Sequence, residues 1–128
     1  MKIELIAGFK RVYQTEIFMQ EFENMFGKNA GEMKRYLLWL IGVLKLLDEE
    51  GMGALSKEQF EHLNHTDNPH LYAIRHPKSR LNERYLYVYE DGEKSILLTS
   101  FLEKNPLDYA RAIERATRIY EQIEWEEA

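Results

Sequence analysis

Apolar residues recur most regularly between Gly31 and Glu50, where Met33, Tyr36, Leu37, Leu40, Val43, Leu44 and Leu47 fall on one stripe and the pattern stops at Gly51. This spacing predicts a buried amphipathic helix. Upstream, Ile17, Phe18, Phe22, Met25 and Phe26 repeat near helical spacing from about Tyr13 to Phe26, with Gly27 as the stop, so a shorter helix comes first. The linker GKNAG joins the two into a helical hairpin whose apolar sides need a cover, and a sheet is the expected cover. The opening run KIELIAGF, residues 2–9, reads as the first strand of that sheet.

The second half changes period. Residues 51–69 show none and read as a connecting loop, with a short helical turn at SKEQFEHL. LYAIRH (71–76) and RYLYVYE (84–90) are rich in Tyr, Ile and Val, and ILLTSFL (96–102) is the continuous apolar run of a central strand. Asp91-Gly92 predicts a two-residue turn between the last two, which sets Glu90 opposite Glu93 and Arg84 opposite Thr99. Leu86, Val88, Leu97 and Phe101 would share the face of Arg84. Asn105-Pro106 with Asp108 marks a capped helix start, and Tyr109, Ile113, Ala116, Ile119, Tyr120 and Ile123 keep one side apolar to about Glu124. The expected fold is α+β: an N-terminal strand and helical hairpin packed on a small, mainly antiparallel sheet, closed by a C-terminal helix, in a single domain over residues 1–128.

Composition fits that reading. Of the 128 residues, 45% are hydrophobic and 30% charged, the balance of a chain that folds around one core. The absence of cysteine excludes disulfides, thiolate nucleophiles and cysteine-ligated metals. LLWLIGVLKLL (37–47) is too short to span a bilayer, so a cytoplasmic protein without membrane contact is expected. The net charge of −5 argues against nucleic-acid binding by bulk charge, but its distribution is uneven. Residues 70–118 hold nine Lys and Arg against seven Asp and Glu, flanked by acidic segments on both sides.

Within that basic region Arg75, Lys78, Arg80 and Arg84 crowd into ten residues. The strand order brings Arg75, Arg84 and Lys104 toward one edge of the sheet, a cluster suited to a polyanion because guanidinium groups fork onto phosphate oxygens. Tyr72, Tyr85, Tyr87, Tyr89 and Tyr109 are near in sequence, and exposed tyrosines stack on bases, so single-stranded RNA is the expected ligand. Cleavage without metal needs a base for the 2′-hydroxyl, a cation for the phosphate and an acid for the leaving oxygen. Arg84 or Arg75 would hold phosphate, Lys104 would assist, His76 or Tyr109 would move the proton, and Lys78 and Arg80 would bind substrate. Against this, cations on a strand edge commonly serve solubility and edge protection, and the Tyr85, Tyr87, Tyr89 ladder suits sheet packing. His62, His65, His70 and His76 carry no metal-site signature, and no glycine-rich phosphate loop or GxSxG is present, so neither metal nor cofactor is expected.

Leu71-Tyr72-Ala73-Ile74-Arg75, Arg84-Tyr85-Leu86-Tyr87, the apolar run Ile96 to Phe101 followed by Lys104, and the helix from Tyr109 onward come in an order that resembles the RelE/ParE toxin superfamily, in its HigB-like phage-derived branch. The resemblance covers roughly residues 51–120. It implies the toxin of a type II toxin–antitoxin module, neutralised by an antitoxin that is a helix-turn-helix protein. RelE-like and HigB-like members cleave mRNA on the ribosome, and ParE-like members inhibit gyrase. By position, Arg75 and Arg84 match basic strand residues of the ribonuclease branch, and Lys104 and Tyr109 fall near its basic and aromatic C-terminal positions. Where HigB-like chains carry a histidine and then a lysine pair, this one has Thr99, Ser100 and Glu103-Lys104. A non-catalytic binder of a host protein such as gyrase is the alternative.

Overall fold

The computed structural model describes residues 1–63, 71–90 and 94–124. Its elements are β1 (Ile3–Leu5), β2 (Val12–Thr15), α1 (Glu16–Asn24), α2 (Ala30–Glu50), a 3-10 turn (Gly51–Ser56), β3 (Phe60–His62), β4 (Leu71–Arg75), β5 (Glu83–Glu90), β6 (Lys94–Leu102) and α3 (Pro106–Glu121). They form the expected α+β architecture, with the strands in one sheet ordered β1-β2-β6-β5-β4-β3. β2 and β6 run parallel and the other described pairs are antiparallel.

The N-terminal strand expected over residues 2–9 is instead a hairpin. The chain reverses at Gly8, whose φ of 88° favours glycine, and Ile6 N–H bonds back to the Val12 carbonyl at 3.0 Å. Asp48 on α2 holds the turn by accepting from Lys10 N–H at 3.2 Å and Arg11 N–H at 2.7 Å. Tyr13, assigned by periodicity to the first helix, therefore lies in β2, and α1 starts at Glu16. Residues 51–69 also hold more structure than a loop, because the 3-10 turn and β3 fall within them. The second and third helices follow their sequence signals closely. Asn29 caps α2 by accepting from Glu32 N–H at 3.0 Å, and Asn105 with Asp108 forms a reciprocal capping box on α3.

The β5–β6 register departs from the two-residue turn. Glu90 faces Lys94 and Arg84 faces Phe101, with an irregularity between Leu86 and Tyr87 that leaves Leu98 as the extra residue of a bulge. Asp91-Gly92 itself lies outside the described residues. The shift at Glu90–Lys94 sets Leu97 opposite Tyr87, on the face away from Arg84, where it packs with α1 and α2 rather than with Leu86 and Val88, and the bulge returns Phe101 to the face of Arg84.

Alternation along the strands builds two cores. Toward α2, Tyr72, Ile74, Tyr85, Tyr87 and Leu97 meet Phe18, Phe22, Leu40, Val43, Leu44 and Leu47. Toward α3, Leu71, Ala73, Leu86, Val88 and Ile96 meet Ala112, Ala116 and Ile119. Each fully buried large side chain contributes about 1.5–3 kcal/mol over its exposed state, which is why the tyrosine ladder is core: Tyr85 and Tyr87 are 0% and 2% exposed and offer no surface to a base. Just past α3 the chain is tied to Met1, as Glu124 N–H donates to the Met1 carbonyl at 2.8 Å. Among the described residues no helix is long and apolar enough to cross a membrane.

Candidate functional site

Successive residues of a strand point to opposite faces, so Arg75 and Arg84 project toward α3 while their neighbours His76 and Glu83 turn toward α2. The residues expected to form one site are thereby divided between two sides of one sheet end.

On the α3 side Arg75, Arg84 and Phe101 form one row across β4, β5 and β6. Two guanidinium groups directly opposite each other repel, and the structure offsets this with oxygens. Arg84 Nε donates to Glu103 Oε2 at 2.9 Å, and Arg75 Nε donates to the Glu58 carbonyl at 3.1 Å. Arg84 also lies 5.8 Å from the centroid of the Tyr109 ring, a cation–π contact, and that ring packs edge-on against Phe101 at 5.4 Å. The Tyr109 hydroxyl donates to Glu61 Oε1 at 2.8 Å. Burial above all, then the hydrogen bond to Glu61 and its negative charge, push that hydroxyl above its ordinary range, partly opposed by Arg84. Tyr109 therefore stays protonated at neutral pH and acts as a donor, with Glu61 as the acceptor beside it. Lys104 is exposed in the β6–α3 connection, where its backbone N–H donates to Asp108.

Arg84 spends only Nε on Glu103; among the described residues its two terminal nitrogens make no hydrogen bond. Side-chain exposures of 17% for Arg84 and 22% for Glu103 leave the pair open enough for an anion to approach. The arrangement is an oriented guanidinium, a second one alongside, and a carboxylate held by a tyrosine, which suits an oxyanion such as phosphate.

On the α2 side Glu83 is fully buried and accepts three hydrogen bonds, from His76 Nδ1 at 2.8 Å, Ser79 Oγ at 2.6 Å and Tyr85 Oη at 2.9 Å. The His76 ring stacks on Trp39 at 3.7 Å and 9° and meets Tyr36 edge-on at 5.5 Å. Arg80 is ion-paired to Glu32 on α2, and Lys78 is exposed. Of the expected site residues His76 alone bonds to Glu83, while Lys78 and Arg80 belong to the loop that follows it and Arg75, Arg84 and Tyr109 form the other cluster. At Thr99, where the resembled family carries histidine nearby, the hydroxyl donates to Glu21 at 2.6 Å and accepts from Arg115 at 2.9 Å, so that position is taken up by an ion-paired cluster.

Sequence reasoning assigned no role to Glu61 or Glu83, and noted Glu103 only beside Lys104. For Glu83 a signal was present: it shares period-two parity with Tyr85, Tyr87 and Tyr89, the face most strongly marked for burial. His65 and His70 lie outside the described residues, and among the described ones no three His, Cys, Asp or Glu gather as a metal site. A cleft of about 650 Å³ between the N-terminal hairpin and the helices is lined mostly by apolar residues such as Leu5, Phe9, Met19 and Ile41, away from both clusters. No protein-family model matches this sequence, and no curated protein matches it.

Proposed function

We propose that this protein is the toxin of a type II toxin–antitoxin module, acting as a metal-independent endoribonuclease on ribosome-bound mRNA through the α3-side cluster. The observation that supports this best is the row of Arg75 and Arg84 beside the Tyr109–Glu61 hydrogen bond. Arg84, oriented through Nε, presents its terminal nitrogens to a phosphate, and Arg75 adds a second cation. Glu103 is taken up by Arg84, which leaves Glu61, held by Tyr109, as the base of this arrangement. It takes the 2′-hydroxyl proton, the 2′-oxygen attacks phosphorus, and the 5′-oxygen leaves with a 2′,3′-cyclic phosphate behind it. Lys104 is the cation available to protonate the leaving oxygen. In this reading Tyr109 positions Glu61 rather than moving the proton itself, and His76, across the sheet, takes no part.

A second reading, a non-catalytic binder of a host protein such as gyrase, draws on the pairing of Arg84 and Tyr109 with carboxylates and on the net charge of −5. Inducible expression in a bacterial host of the wild type, Arg84→Ala and Glu61→Gln, with mapping of mRNA 5′ ends, separates the two. Growth arrest with new ends inside translated codons, lost in both variants at equal abundance, is the expected result. Arrest without cleavage favours the binder, and absence of arrest overturns the toxin assignment.

A further inference from the structure

We propose that His76 is a phosphoryl-accepting site, its Nε2 a nucleophile prepared by Glu83. An ionised carboxylate only accepts hydrogen bonds, so in the neutral imidazole the His76–Glu83 contact selects the tautomer with the proton on Nδ1 and the lone pair on Nε2. Trp39 and Tyr36 hold the ring plane, Glu83 holds its Nδ1 edge, and among the described residues Nε2 has no hydrogen bond. The side chain retains 20% exposure, whereas the carboxylate facing its Nδ1 has none. This is the oriented-base half of a nucleophilic centre, built around a fully buried acid that the α3-side cluster leaves unused.

The loop that follows supplies an independent sign. Ser79 N–H closes a turn on the His76 carbonyl at 3.2 Å, with Pro77 second and Lys78 third. Lys78 has φ of 61°, the left-handed conformation that favours glycine at that turn position. A cation is kept where backbone sterics would choose glycine, and such strain concentrates at functional sites. Beside an imidazole nucleophile, a cation serves to neutralise phosphoryl oxygens. Arg80, fixed through Glu32, is a second positive charge in the same loop.

With phosphoramidate protonated on nitrogen as donor, the Nε2 lone pair forms the new N–P bond, the donor's P–N bond breaks, and its electron pair leaves on ammonia. The Nδ1 proton stays on the ring, and the Glu83 carboxylate balances the positive charge of the phosphorylated imidazole. The test is incubation of the full chain with phosphoramidate, followed by site-resolved mass spectrometry for acid-labile, alkali-stable phosphate on the four histidines. His76 should label at least about tenfold faster than His62, His65 or His70. Lys78→Gly should raise thermal stability by relieving the backbone and yet slow His76 labelling several-fold, a combination a purely structural loop would not give. Glu83→Gln, checked for folding by circular dichroism, should slow labelling by about tenfold. Equal labelling of all four histidines, no label on His76 while others react, or unchanged labelling in Lys78→Gly would overturn the proposal.

Discussion

The α2 and α3 sides of one sheet end treat charge in opposite ways, although the residues that build them are neighbours in the chain. Glu83 has no exposure and three donors, while Arg84, the next residue, pairs with the partly exposed Glu103 and among the described residues keeps its terminal nitrogens unbonded. Closure makes a charge a structural commitment, because every partner removed leaves another polar group stranded. Partial exposure makes a charge exchangeable, because water or a ligand can replace the partner at little cost. The first side should govern stability and the second ligand binding.

The largest expected effect tests that division directly. Glu83→Ala strands His76 Nδ1, Ser79 Oγ and Tyr85 Oη together, and should lower unfolding free energy in urea by about 3–5 kcal/mol. Glu103→Ala on the open side should cost no more than about 1 kcal/mol. Similar losses for the two would dissolve the contrast. Next in size are the two tyrosines that donate to carboxylates. Tyr85→Phe takes one donor from a buried acid and should cost about 1–3 kcal/mol. Tyr109→Phe, beside the half-buried Glu61, should cost about 0.5–1.5 kcal/mol.

A smaller stability change carries the larger functional one. Arg84→Ala removes a partly exposed ion pair and a cation–π contact, so its stability in urea should stay within about 1–2 kcal/mol of the wild type. RNA affinity should nevertheless fall by about tenfold or more and lose part of its salt dependence. A folded Arg84→Ala with unchanged RNA affinity would remove the α3-side cluster from consideration as a phosphate site.

The parts of this contrast legible from sequence are those set by local rules. The stripe from Met33 to Leu47 and the Asn105-Pro106 start each specify a helix within a few residues. The three long strands also followed from composition. What escaped was set across the fold. The Gly8 turn depends on Asp48, distant in sequence, and the bulge at Leu98 arises from how two faces pack, so no local pattern announced either. One residue of shift at Glu90–Lys94 and one more at the bulge set Arg84 against Phe101 instead of Thr99, and Phe101 in turn carries Tyr109 to it. The separation of His76 from Arg84 was readable from period two alone, since Arg75 and His76 are adjacent and only one can face α3.

The finest expected difference lies in the titration of Tyr109. Its hydroxyl stands above the usual tyrosine range, first through burial, then through Glu61, with Arg84 pulling the other way. A raised folded pKa contributes stability that is complete below the unfolded value, near 10, and is lost as pH rises through the folded one. No dependence on this group should appear at neutral pH, and stability should decline on the alkaline side only. Glu61→Gln removes the nearby negative charge and should move the Tyr109 transition to lower pH. Arg84→Gln removes the opposing cation and should move it higher. Tyrosinate absorbance of each variant, taken as a difference against the same variant carrying Tyr109→Phe, isolates this ring from buried Tyr85 and Tyr87. Shifts in the same direction would mean that altered packing, rather than charge, controls the hydroxyl. Opposite shifts would tie Glu61, Tyr109 and Arg84 into one electrostatic unit on the open side of the sheet.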